Sequence, residues 1–194
     1  MKCILISTLL FVTCLVLTMD AGFAKKKPGK HVQEEYVANL GPPLLGASTV
    51  SFGIEEVTTD EEMQGLAQTF AQRGAEGIET ALRKGRKGYF QLGNYESSDI
   101  VLAMVTSTDG VRRLGIVGIA PNRFLAAGPA QNQTSFGFVE FPWTFIQVEV
   151  DEKGNGKGSI IPLAKVVFNE QGKMVVKPLV PSNIPRLVNV HSVK

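Results

Sequence analysis

The chain has 194 residues, of which 44% are hydrophobic and 20% charged, the composition of an ordinary globular protein with a formal net charge of +2. That charge is uneven: Lys25, Lys26, Lys27 and Lys30 are clustered near the start, and residues 31–194 carry more Asp and Glu than Lys and Arg. The body of the chain is therefore not basic, and no nucleic-acid partner is expected.

Lys2 precedes a run of uncharged, mostly apolar residues from Cys3 to Met19, followed by Gly22 and Ala24, both small enough for a signal-peptidase pocket. This pattern predicts a secretory signal over 1–24, a mature chain starting at Lys25, and a secreted or periplasmic location. The alternative is a retained anchor helix, since the run is nearly long enough to cross a bilayer. Membrane contact would then come only through this segment. The lysines that follow the apolar run outnumber Lys2 before it, which opposes an anchor with its N-terminus inside. Cys14 lacks the small preceding residues that a lipid anchor needs. Both cysteines, Cys3 and Cys14, lie inside the signal, so the mature chain has no disulfide and depends on a packed core.

Residues 25–46 hold Pro28, Pro42, Pro43, Gly29, Gly41 and Gly46 and read as a basic, Pro/Gly-rich flexible linker. A single domain is expected over 47–194. Its first strand is predicted at Ser48–Val57. Thr58 with Glu61, and Thr59 with Glu62, are overlapping capping boxes that open a helix. Met63, Leu66, Ala67, Phe70, Ala71, Ile78, Ala81 and Leu82 form its apolar stripe, with a break expected at Gly74 and Gly77. Arg83, Lys84 and Gly85 mark the end, with Gly85 as a C-cap.

From Tyr89 the period changes to two. Ile100–Thr106 and Leu114–Ala120 read as paired buried strands around a tight turn at Thr108-Asp109-Gly110. A long loop over 121–134 follows, then strands at Phe136–Val150, Ser159–Phe168, Met174–Val180 and Leu187–Val190. The predicted class is α+β: a mainly antiparallel sheet of about seven strands with one amphipathic, broken helix packed on it.

The chemistry on offer is sparse. His31 and His191, the only histidines, lie near the termini of the mature chain, and the sequence contains no serine-hydrolase or zinc-ligand pattern. Neither a cofactor nor a metal is expected, and an enzyme is not the favoured reading. The Asp151-Glu152-Lys153-Gly154-Asn155-Gly156-Lys157-Gly158 run superficially suggests a phosphate or calcium loop but reads better as a hairpin turn. Phe136, Phe138, Phe141, Trp143 and Phe145 crowd one stretch beside Glu140. Core packing is the default for them. The sharper reading makes Phe141, Trp143, Phe145 and Glu140 a binding surface on an edge strand, with Pro142 marking the edge or a bulge. Arg83, Lys84, Arg86 and Lys87, next to Tyr89 and Phe90, are candidate contacts for an anionic surface polymer. Asn132-Gln133-Thr134 is an N-glycosylation sequon in the long loop.

Asp60-Glu61-Glu62, Leu66-Ala67-Gln68-Thr69, Val148-Glu149-Val150-Asp151-Glu152-Lys153-Gly154, Ile161-Pro162-Leu163-Ala164-Lys165-Val166 and Pro185-Arg186-Leu187-Val188-Asn189-Val190 together resemble a family of short exported bacterial proteins of unknown function, over about Thr59 to Lys194. The resemblance implies export and carries no catalytic motif. The expectation is a non-catalytic exported domain that binds or scaffolds in the bacterial cell envelope, with an envelope protein or an anionic surface polymer as partner. A small carboxylate-based hydrolase and a carrier of an apolar ligand are the alternatives.

Overall fold

A computed structural model describes residues 33–121, 142–180 and 184–193. The elements run β1 (Glu34–Leu44), β2 (Ala47–Ile54), α1 (Asp60–Leu82), β3 (Gly88–Leu92), β4 (Ser98–Thr108), β5 (Val111–Ile119), β6 (Trp143–Val150), β7 (Asn155–Phe168), β8 (Met174–Pro178) and β9 (Arg186–Ser192). The strands form one antiparallel sheet in the order β6-β5-β4-β3-β2-β1-β9-β7-β8, and a further β6–β7 pairing closes eight of them into a barrel. The α+β class with a helix on an antiparallel sheet holds, but among the described residues the sheet has nine strands, eight of them closed into a barrel, in place of the about seven expected.

The largest departure from the sequence reading is at the start. Glu34–Leu44, assigned above to the linker, is a full barrel strand paired with both β2 and β9. Tyr36, Ala38 and Leu40 alternate into the core, a period-two signal hidden by the Gly41-Pro42-Pro43 run at the far end of the same strand.

The interior of the barrel is one apolar cluster that includes Tyr36, Val50, Phe52, Phe90, Ile100, Leu114, Ile116, Ile146, Val148, Ile160, Leu187 and Val190. Eight strands enclose a space that side chains can fill, and Tyr36 stacks on Phe52 inside it with ring centroids 5.2 Å apart. Outward positions such as Glu35, Ser51, Tyr89, Gln91 and Arg113 are polar or amphipathic. This apolar-in, polar-out pattern is the reverse of a barrel that faces lipid. Two interior glycines have packing reasons: the Phe90 ring occupies the space beside Gly118, where a Cβ would meet Phe90 Cε1 at 2.4 Å, and Gly158 lies so close to Gln147 O that a Cβ would sit 2.1 Å from it.

The second cluster lies outside the barrel, beneath α1. Ile78 and Leu82 of the helix meet Val101, Leu102, Val117, Trp143, Ala164, Val166 and Phe168, with Phe70 half-buried against Phe168, ring centroids 5.9 Å apart. A bulge in β4, where the β5 register shifts between Ile100 and Leu102, turns both Val101 and Leu102 toward the helix while Ile100 and Ala103 stay in the barrel core. Beyond the barrel, the second half of β7 carries β8 as a flap under the same helix.

The helix start shows how local and long-range demands are divided. Thr59 is the N-cap: Glu62 N donates to its hydroxyl at 3.2 Å, and Thr59 N donates to Glu62 at 2.8 Å. Thr58, the rival cap, instead accepts from Ala103 N at 3.0 Å, which ties the helix entry to the β4 bulge. The expected break falls at Gly74, whose φ of 64° and ψ of −153° leave the helical region. The expected C-cap glycine does not form; Arg83 caps α1 in the right-handed conformation and Gly85 N reaches Leu82 O.

The turns follow their chemistry. Asp109 and Gly110 both have positive φ, 52° and 74°, between the paired residues Thr108 and Val111, the geometry of a two-residue hairpin. Asp151 and Asn169 then repeat one device. Each side-chain oxygen accepts from the backbone N–H two and four residues on, and a glycine with positive φ, Gly154 or Gly172, completes the turn. The glycine-rich run after Asp151 is thus a hairpin and the start of β7.

Candidate functional site

The predicted cationic surface is largely neutralised where it stands. Arg83 lies against Glu79 at 2.9 Å with its guanidinium 5.4 Å from the centre of the Trp143 ring. Arg86 bridges Glu55 at 2.8 Å and Asp99 at 3.1 Å. Lys87 is turned inward, its side chain 8% exposed, and its ammonium donates to Glu56 and, at 2.7 Å, to Glu62. Burial pushes the Lys87 pKa down, but the hydrogen bonds to Glu56 and Glu62 outweigh it and the net direction is up. Glu62 is held below the usual carboxylate range by the Lys87 hydrogen bond first and the Thr59 N–H second. Lys87 is therefore a staple between the helix N-terminus and the sheet, while Arg83, Lys84 and Arg86 stay exposed, Arg83 and Arg86 with carboxylate partners. Sequence reasoning missed this because the partners lie 25 and 31 residues away.

Among the described residues of the aromatic run, Trp143 and Phe145 follow the core-packing reading and not the exposed-edge one. Trp143 is 2% exposed in the cluster beneath α1, and Phe145 is half-buried in the same cluster. β6 is an inner strand paired with β5 and β7: Trp143 and Phe145 turn toward the helix, Ile146, Val148 and Val150 toward the barrel interior, and Gln147 and Glu149 on the outer face beyond the helix keep solvent access. Pro142 precedes the strand, and the expected irregularity appears as a register shift against β7 between Trp143 and Phe145. There the buried Thr144 hydroxyl donates to Pro162 O at 2.9 Å. Glu140, Phe141, the sequon at Asn132 and the segment 1–24 lie outside the described residues.

Two polar groupings had no signal in the sequence. At one end of the barrel Arg112 Nη2 donates to Glu34 Oε1 at 2.6 Å, and the Tyr36 hydroxyl donates to Glu34 Oε2 at 2.9 Å. Burial first, and the Glu34 hydrogen bond second, push the Tyr36 pKa up to about 12. On the outer wall the Tyr89 hydroxyl donates to Glu35 at 2.7 Å across Gly53, which pairs with both residues and has no side chain to block the ring. Burial and this bond push the Tyr89 pKa up to about 12 as well. These are closed pairs, with donors and acceptors matched to each other.

The remaining surface of interest is the flap. β8 ends the sheet, paired only with β7 among the described residues. Lys165 and Lys177 stand directly opposite each other on the flap, and Val167 opposite Val175 on the same face.

Compared with protein-family models, with curated proteins and with solved structures, the chain shows no match.

Proposed function

We propose that this is an exported, non-catalytic domain of the bacterial cell envelope that works by binding or scaffolding. The observation that carries the reading is the filled barrel: Phe52, Phe90, Ile116, Ile146 and their neighbours occupy the interior, and Arg112 with Glu34 spans one end. Such a barrel is a rigid support for its outer surface. The distribution of charge supports the same reading, since Glu34, Glu35, Glu55, Glu56, Glu62, Glu79 and Glu149 each bond a cation or a tyrosine hydroxyl. Carboxylates held this way are suited to fixing the fold rather than to acid/base chemistry. The apolar segment from Cys3 to Met19 with Gly22 and Ala24, and the resemblance to exported bacterial proteins, support export.

The test is fractionation of cells expressing the full chain, with N-terminal sequencing of the exported product. The expected result is periplasmic or secreted protein beginning at Lys25. Intact chain beginning at Met1 in the membrane fraction overturns cleavage, and accumulation in the cytoplasm overturns the envelope setting.

A further inference from the structure

Among the described residues, the flap strand β8 combines a backbone edge that no further strand covers with a lysine pair that no carboxylate balances. The backbone bonds Asn169 N to Lys173 O and Leu179 N to Leu163 O, both 2.9 Å, fix the phase of the β7–β8 ladder. In an antiparallel pair the bonded and non-bonded positions alternate. Val175 and Lys177 therefore bond inward to β7, while Met174 and Val176 turn their N–H and C=O groups away from the sheet. Pro178 falls in the same non-bonded phase, where its missing N–H costs the ladder nothing.

The side chains on the face away from α1 give this edge a chemistry. Lys165 and Lys177 are direct cross-strand partners, an arrangement of like charges that destabilises a strand pair. Val175, 36% exposed, lies two residues from Lys177 and pairs with Val167. Lys173, also exposed, adds a third cation at the start of the strand. Elsewhere Arg83, Arg86, Lys87, Arg112 and Arg113 each have a carboxylate within 3.1 Å. No such ion pair is formed by Lys165, Lys173 or Lys177 among the described residues.

We propose that β8 receives an extended acidic peptide segment of a partner protein as an added antiparallel strand. The outward N–H and C=O groups of Met174 and Val176 supply main-chain hydrogen bonds. On the face away from α1, a partner carboxylate opposite Lys177 balances the lysine pair, and an aliphatic residue two positions on covers Val175. The motif recognised is therefore an acidic residue, any residue, then an aliphatic one. A second copy of this chain does not fit, because pairing β8 with itself brings Lys173, Lys165 and Lys177 of both copies together. The inference deepens the binding-module reading by naming the chemistry of the partner, and it rests on that reading for its biological setting.

The test uses the purified exported chain and a fluorescent, blocked heptapeptide with glutamate at its second and sixth positions, valine at its fourth and threonine elsewhere. Fluorescence anisotropy is expected to show saturable binding, weakened at least tenfold when lysine replaces both glutamates and at least tenfold by Lys177→Glu. Val176→Pro removes an outward N–H, along with a side chain half-buried beneath α1, and is expected to abolish binding. Val176→Ala, which keeps the N–H, is expected to retain it, and an unchanged β-sheet circular dichroism spectrum for both is the check on folding. Equal binding of the acidic and basic peptides, or no loss with Lys177→Glu, overturns the proposal. So does a dimer of the chain that Val176→Pro dissociates, which would make the occupant a second copy. Absence of peptide binding by an exported chain overturns this inference alone, and cytoplasmic retention of a chain that binds overturns only the envelope setting.

Discussion

Arg112 and Glu34 meet 2.6 Å apart although their strands, β5 and β1, stand opposite each other in the barrel wall, four strands apart in either direction. Arg112 reaches Glu34 because the β4–β5 hairpin projects past β3: Ile100 is already level with Gly88, the first residue of β3, and β4 continues to Thr108. Glu34 in turn accepts from Tyr36, whose ring is stacked on Phe52 in the core. The end of the barrel is thus tied across its diameter by a charged pair resting on an aromatic floor.

That tie has a measurable coupling. Both side chains keep partial solvent access, so the pair is screened and is expected to contribute about 1 kcal/mol. A double-mutant cycle of Arg112→Ala and Glu34→Ala, followed by urea denaturation, should return a coupling of that order. A value near zero would show that the two groups do not meet in solution.

The two raised tyrosines set an alkaline limit. Tyr36 and Tyr89 have pKa values pushed from 10.0 to about 12 in the folded chain. Between those values the unfolded chain loses phenolic protons that the folded chain still holds. Their contribution is therefore complete below pH 10 and is lost as pH rises through about 12. The urea midpoint should fall across this window. Phe at both positions should flatten the fall, and an unchanged slope in the double variant would assign it to other groups.

Gly118→Ala probes the packing of the barrel interior. The added methyl would lie 2.4 Å from Phe90 Cε1 and 3.3 Å from Asp99 O, with no room on either side. The expected cost is about 1–3 kcal/mol. Phe90→Leu in the Gly118→Ala background should recover part of it, since a smaller side chain vacates the contested space. If the second substitution only adds to the loss, the ring is not the obstacle.

How much of this was legible in the chain depended on the range of the interactions. The helix was readable because Thr59, Glu62 and the Met63-to-Leu82 stripe act within a few residues of one another, and the hairpin at Asp109-Gly110 for the same reason. β1 was lost because Pro42 and Pro43 outweighed the alternation of Tyr36, Ala38 and Leu40. Closure of the barrel depends on β9 entering between β1 and β7, a pairing with no local signature. The candidate contacts depended on range in the same way: Lys87 looked like surface charge until Glu56 and Glu62 arrived from distant segments. For Trp143 the default reading, core packing, holds, and the edge alternative fails because the helix lies over it, which nothing in its own strand shows. The edge of β8 was missed because a strand in sequence does not state which of its sides is paired.

The Lys87 staple gives a prediction on the acid side. Glu62, held low by Lys87 and the Thr59 N–H, has a folded pKa below its ordinary 4.5. Its contribution is present above that value and is lost as pH falls through the folded pKa. Stability should decline below about pH 4.5, and Glu62→Gln should make the decline shallower while weakening the helix cap. A variant with the full acid slope of the parent would place the sensitive carboxylates elsewhere.

Trp143 offers the most direct check on the arrangement of helix and barrel. It is 2% exposed, with Ile78 and Leu82 in its cluster and the Arg83 guanidinium over its ring. As the sole tryptophan, it reports on this interface without interference. Emission from the isolated chain should be blue-shifted and protected from acrylamide. Trp143→Ala should lower stability by about 3–5 kcal/mol, because the cavity it leaves is walled by β5, β7 and a helix anchored at both ends. Phe70→Ala, on the half-buried rim of the same cluster, should cost roughly half as much. Red-shifted, readily quenched emission together with an unchanged urea midpoint for Trp143→Ala would mean that α1 does not cover β6 in solution, and the aromatic strand would again be a candidate contact surface.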